Sequence, residues 1–285
     1  MPYLFDRLTE EQAHSYGLVL SATGINCNLV RGKHGWRIGV GFEDHDRARD
    51  AIQAYLAENK EYDLKRRVAS QTYQKTLTGL WAALMLLGVH ILVGMTADDR
   101  ALIDLYGASA EQILKGQLYR VVTALLLHST GIHLVGNMVG IALFGTAVGT
   151  VTGWGAGWLI ILTCGAAGNL LNAAFYQSGH FSIGASTAVF GAVGFLAAHQ
   201  FLKRYREPDR RIRAWIPLAG GLALLAFLGA SPYADLMAHL LGFASGVASG
   251  LIYSLLIFRP VSTRYQIACF LITAGVLVAC WMAAG

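Results

Sequence analysis

Apolar positions change character near residue 70. Before it they are scattered among charged residues, and no apolar run reaches the length of a membrane crossing; after it, runs of span length follow one another along the sequence. Residues 1–70 read as a small soluble unit. Within it, residues 9–23 (TEEQAHSYGLVLSAT) open on a capping signature, Thr followed by Glu, and stop before Gly24, which predicts a helix. Residues 26–30 and 36–40, on either side of a turn at 32–35, predict two strands. Residues 43–59 carry acids in the first turn and place Ala48, Ile52, Tyr55 and Leu56 on one face, the pattern of an amphipathic helix. The predicted order is helix, strand, strand, helix.

Seven apolar runs follow, at approximately 77–95, 132–150, 154–175, 186–202, 214–230, 235–257 and 265–284. The connection at 96–131 is neither polar throughout nor span-like. Its amphipathic pieces, 101–105 and 112–127, predict a segment lying in the outer interface. Basic residues set the orientation: Lys65, Arg66, Arg67 and Lys75 before the first run, Lys203, Arg204, Arg206, Arg210, Arg211 and Arg213 between the fourth and fifth, Arg259 and Arg264 between the sixth and seventh. With seven crossings and residue 1 inside, all three groups fall on one side. The expected molecule is an all-α polytopic membrane protein over residues 71–285, with a small α/β unit at 1–70 in the cytoplasm and residue 285 outside.

Composition agrees with that reading. A hydrophobic share of 55%, a charged share of 14% and a mean hydropathy of +0.48 exclude an ordinary soluble domain. A net charge of +5 and a pI near 9.1 would suit nucleic acid, but the basic residues sit between apolar runs, where orientation accounts for them. No nucleic-acid partner is expected. Cys27, Cys164, Cys269 and Cys280 have neither paired nor metal-like spacing, so no disulfide, metal or cofactor is expected. His14, His34 and His45 lack ligand spacing and are expected at the surface. The opening MPYLFDRLTEEQ has no basic segment leading into an apolar one, so no cleaved signal peptide is expected.

The chemistry begins at residues 181–194, FSIGASTAVFGAVG, where a polar, Gly-broken loop gives way to an apolar helix at Ser186. His133 opens the second run, and Asn137 lies one turn below it on the same face. His239 stands one turn into the sixth run. All four residues enter from the outer side, so Ser, His, His and Asn from three helices share one shallow level. Polar groups there are costly unless they face the bundle and pair. Gly242, Gly246 and Gly250 recur every four residues and present a flat stripe; Ser186, Gly191 and Gly194 offer the matching surface, and Gly184 and Ala185 leave room for backbone to approach closely. If those faces pack, His239 reaches Ser186 and can activate its hydroxyl, with His133 and Asn137 as donors to a developing oxyanion. The competing account is ordinary small-residue packing with a satisfied interhelical bond.

These residues resemble the rhomboid intramembrane serine proteases, over residues 77–258, with the seventh run matching the form that carries an extra C-terminal helix. HLVGN (133–137), GAS (184–186) and AHLLGFASG (238–246) carry the resemblance. It implies a bundle of six core transmembrane helices plus a seventh, in a bacterial inner membrane, cleaving single-span membrane proteins near the outer surface. Ser186 is then the nucleophile, His239 its general base and acid, and His133, Asn137 and the Ser186 N–H the oxyanion donors. His128 matches a further recurrent histidine that looks structural, and the N-terminal unit is similar to the cytoplasmic appendage of some bacterial members. Two positions depart from the pattern. Thr187 replaces the usual Gly, which is expected to narrow the substrate pocket, and Tyr119-Arg120 occupies the place of a Trp-Arg pair. Inactive relatives lose the Ser or the His, and this chain keeps both. The alternative is a catalytically silent rhomboid-like factor that binds or presents membrane clients. A transporter should show broken helices and intramembrane carboxylates, whereas runs two to seven hold Asp235 alone, at an edge. Asp235, four residues before His239, admits two roles, third member of a triad or helix start; Ser231-Pro232 ahead of it favours the second.

Overall fold

The computed structural model describes residues 3–32, 35–69, 75–96, 98–206, 211–229, 234–257 and 261–284, with the backbone alone at 60–69 and 228–229. His34, Arg210, Ser231, Pro232 and Arg259 lie outside the described residues, as do the side chains of Lys65, Arg66 and Arg67. The chain separates into two units, Met1–Gln71 and Thr72–Gly285.

In the first unit a strand precedes the expected helix. Strand β1 (Tyr3–Leu8) pairs antiparallel with β3 (Gly35–Val40), which also pairs with β2 (Cys27–Gly32), giving the order β1-β3-β2. The order is therefore strand, helix, strand, strand, helix. The sequence YLFDRL lacks the apolar alternation of a half-buried strand, and its pairing is irregular, with two register shifts and Arg7 at φ 62°. Helix α1 (Glu10–Ala22) starts with a capping box closed by Gln12: Thr9 Oγ1 accepts from the Gln12 amide at 3.2 Å, and Gln12 Oε1 accepts from the Thr9 amide at 3.0 Å. Leu20, Ile25, Ile38, Val40, Ala48 and Ile52 form the core between the sheet, α1 and α2 (His45–Ala69). Tyr55 packs against it, whereas Leu56 is exposed. His14 is exposed and His45 half-buried.

The second unit is helical. Its long elements are α3 (Thr78–Gly94), α7 (Gly131–Gly140) running through a π-turn at Ile141–Gly145 into α8 (Thr146–Thr152), α9 (Trp154–Tyr176), α10 (Ser186–Tyr205), α11 (Ile216–Gly229), α12 (Leu236–Leu256) and α13 (Thr263–Met282). Among the described residues, four helices are long and apolar enough to cross a membrane: Gly131–Thr152, Trp154–Tyr176, Leu236–Leu256 and Thr263–Met282. Thr78–Gly94 and Ile212–Phe227 are shorter apolar helices. Helix α10 fills the expected fourth position without meeting that standard. It touches α7, α8, α9, α11 and α12 and is buried along most of its length, and a helix enclosed by helices does not need a lipid-facing composition.

The connection at 96–131 consists of short pieces, α4 (Asp99–Tyr106), α5 (Ala110–Leu114) and α6 (Arg120–Thr123), with β4 (Ala108–Ser109) paired antiparallel to β5 (Phe181–Ser182) just before α10. Buried Arg120 organises them. Its guanidinium donates to the carbonyls of Asp104 (2.7 Å) and Gly107 (2.9 Å) at the C-terminal end of α4, where the helix dipole favours a cation, and to Gln117 Oε1 (2.7 Å). Tyr119 lies under the same guanidinium, 5.6 Å from its ring centre. Helix α13 is tied at both ends. Near its start, buried Gln266 accepts from the Gly155 and Ala156 amides at 2.8 Å and donates to Thr152 O at 2.9 Å; near its end, Trp281 stacks on Tyr106 with ring centres 4.2 Å apart.

Candidate active site

Two backbones meet along one glycine stripe. A Cβ on Gly242 would strike the Thr187 carbonyl, one on Gly246 the Gly191 carbonyl, and one on Gly250 the Phe195 carbonyl; from the other side, one on Gly194 would strike Phe243 O. The contacts step by four residues on both helices, so α10 and α12 run alongside each other with backbone against backbone. Gly191 adds a close approach to Cys164 of α9.

At one end of this seam the helices bring Ser186 and His239 together. His239 Nε2 lies 2.7 Å from Ser186 Oγ, within hydrogen-bond distance. The imidazole is buried and rests against the Phe190 ring, with centres 4.8 Å apart. Ser186 is the first residue of α10, so its amide is one of those at a helix start with no partner one turn earlier.

Gly184 fixes how the other polar residues approach. Its φ of +126° favours glycine, and a Cβ there would lie 2.7 Å from His133 Cε1 and Nε2 and 3.6 Å from Asn137 Nδ2. His133 and Asn137 thus converge on the backbone two residues before Ser186. Asn137 donates to the His133 carbonyl at 3.1 Å with one amide hydrogen, and a second remains on that nitrogen. His133 Nδ1 lies 3.4 Å from Ser129 Oγ. The loop carrying Gly184 is pinned from behind: the Gly184 amide donates to Ala124 O at 2.9 Å, and the Ala185 amide donates to His128 Nε2 at 3.4 Å. His128, edge-on to His133, therefore supports the loop.

Thr187 does not face outward as its position beside Ser186 suggests. It is buried, with Cγ2 in the notch formed by Gly168 of α9 and Gly242 of α12, so its extra bulk fills a helix junction instead of narrowing a pocket. Asp235 caps α12, its Oδ1 accepting from the Ala238 amide at 3.0 Å. Its Oδ2 takes His180 Nε2 at 2.6 Å and Asn172 Nδ2 at 2.7 Å. Asn172 and His180 are the site-adjacent residues that sequence reasoning passes over, although an asparagine inside the apolar run of α9 is a signal in its own right. Among the described residues no group of three His, Cys, Asp or Glu side chains is arranged to hold a metal ion.

Comparison with known proteins matches this part of the chain. The rhomboid domain family matches residues 115–256. RHOMBOID-like protein 1 of Arabidopsis thaliana is 29% identical over 146 residues, covering 51% of this chain and 36% of that protein. Rhomboid protease GluP of Bacillus subtilis (strain 168) is 30% identical over 159 residues, covering 55% of this chain and 31% of its own length. Rhomboid-like protease 3 of Toxoplasma gondii is 34% identical over 160 residues, covering 53% of this chain and 57% of its own. The chain thus spans between about a third and three fifths of the length of these relatives. With four span-length apolar helices among the described residues, three of them inside the matched segment, the chain is a multi-pass integral membrane protein that carries a rhomboid domain at residues 115–256.

Proposed function

We propose that the chain is an intramembrane serine endopeptidase that works through a Ser186–His239 dyad. The observation that carries this reading is the 2.7 Å approach of His239 Nε2 to Ser186 Oγ beside two converging donors, in a protein whose relatives include proteins named as rhomboid proteases. As Ser186 Oγ attacks the scissile carbonyl, its proton passes to His239 Nε2, and the carbonyl oxygen takes the negative charge. His133, Asn137 and the Ser186 N–H are the donors for that oxygen. Collapse of the tetrahedral adduct breaks the C–N bond, and the proton on His239 goes to the leaving amine. Water then attacks the Ser186 ester with His239 again taking a proton, which returns to Ser186 as the second product leaves.

The substrates fitting this geometry are single-span membrane proteins cut near the outer surface of a bacterial inner membrane. Residue 1 lies in the cytoplasm and residue 285 outside, as the basic residues between apolar runs indicate. A peptide bond within a helix is shielded by its own hydrogen bonds, so segments that unwind easily, rich in Gly or Ala, are favoured at the cut. The reading is tested by cleavage of such a substrate in detergent, with products mapped by mass spectrometry. Cleavage after a small residue near the outer end of the substrate helix is expected, abolished in Ser186→Ala and in His239→Ala, with the double variant no worse than either. Substantial cleavage by Ser186→Ala overturns the dyad. A wild-type protein that binds clients without cutting them favours the silent rhomboid-like factor.

A further inference from the structure

Asp235 sits where three parts of the molecule meet. Through Oδ1 it holds the first turn of α12, and its main-chain carbonyl accepts from the amide of His239 at 3.1 Å, so it lies one turn directly outside the general base. Through Oδ2 it holds Asn172 of α9 and His180, six residues before Ser186. The 2.6 Å separation requires a proton on His180 Nε2, since an unprotonated ring nitrogen would oppose the carboxylate, and a charge-assisted bond of this length is among the stronger hydrogen bonds. Side-chain exposures of 14% for Asp235 and 22% for His180 leave little water to compete. His180 is itself anchored: its ring stacks on Tyr176 with centres 3.9 Å apart, and its carbonyl accepts from the Ala110 amide at 3.0 Å beside the β4–β5 pair.

The glycine stripe sets the spacing of α10 and α12 from Gly242 inward. Outward of it, Asp235 joins the helix bearing His239 to the loop leading into Ser186. We propose that Asp235, acting through His180 and Asn172, is a positioning residue for the hydrolysis, setting the approach of His239 to Ser186 by tying the start of α12 to the nucleophile loop. This rests on the Ser186–His239 reading above. A helix cap alone would not need the second oxygen to reach across to another loop and another helix.

Two substitutions separate the tether from the cap and from packing. Asp235→Asn keeps a cap of equal quality, because Asn and Asp cap helices alike, but it removes the charge and turns an amide toward two donors. His180→Phe keeps a ring to stack on Tyr176 and removes the N–H. The measurements are kcat and KM for substrate cleavage in detergent, the rate at which a fluorophosphonate labels Ser186, and the melting temperature. Each variant should lose about tenfold in kcat and in labelling rate with KM changed by less than about twofold, and the double variant should be no slower than the slower single, as for residues in one hydrogen-bond network. His180→Gln, whose side-chain N–H can again meet the carboxylate, should recover part of the loss. Wild-type kcat and labelling in both Asp235→Asn and His180→Phe would reduce Asp235 to a cap. Losses that add independently, follow the melting temperature and are not rescued by Gln would reduce the cluster to structure. If wild-type Ser186 itself does not react, the protease reading fails and the positioning role goes with it; a reactive wild type with unaffected variants removes the positioning role alone.

Discussion

At His133 and Asn137, the proposed oxyanion donors, a catalytic arrangement and a packing one lead to different expected outcomes. A side chain that only holds helices together contributes equally whether or not substrate is reacting, whereas an oxyanion donor strengthens its bond as charge develops. Asn137→Ala is therefore expected to lower kcat by on the order of 10- to 10³-fold with little change in KM, and His133→Ala to behave similarly. A raised KM with unchanged kcat would make them substrate binders. Gly184→Ala tests the same junction from the backbone side. Its φ of +126° disfavours any side chain, and the new methyl would lie 2.7 Å from the His133 ring, so cleavage should fall steeply even if the helices still assemble. Near-normal cleavage by that variant would mean that His133 has room to move and is not held for catalysis.

Among the helices, the α10–α12 seam carries the site, and it is built from absent side chains. Gly246→Leu places a side chain on the Gly191 carbonyl, forcing the helices apart and moving His239 from Ser186, so the melting temperature in detergent and the reactivity of Ser186 should both drop. Gly275→Ala in α13, where a Cβ meets nothing within 4 Å, should change neither. Equal tolerance of both would refute the close-packed seam. This element is legible in sequence because a four-residue glycine period and isolated polar residues stand out against apolar runs; that pattern alone points to the residues gathered at Ser186. Other features are not legible, for separate physical reasons. Strand β1 is paired by backbone bonds that YLFDRL does not advertise. The direction of Thr187 depends on two glycines on other helices, Gly168 and Gly242. The Asp235, His180 and Asn172 cluster needs three distant segments to meet, and the anchoring of α13 through Gln266 answers amides at the start of α9 that only the folded helix end exposes.

At the scale of the molecule, the residues proposed for catalysis all lie in the unit Thr72–Gly285. The unit Met1–Gln71 has its own core of Leu20, Ile25, Ile38, Val40, Ala48 and Ile52. Removing residues 1–68 should accordingly leave cleavage of a transmembrane substrate in detergent intact, since no group proposed for the reaction is lost. An inactive but well-folded truncated protein would assign the first unit a part in the reaction. The central claim is that half-buried Ser186 is a nucleophile made reactive by His239, and one measurement reaches it without a known substrate: covalent labelling by a fluorophosphonate, with the modified residue located by mass spectrometry. Labelling at Ser186 in the wild-type protein, lost in Ser186→Ala and nearly lost in His239→Ala, is the predicted result. A folded wild-type protein that does not label, or a His239→Ala variant that labels as fast as wild type, would contradict it.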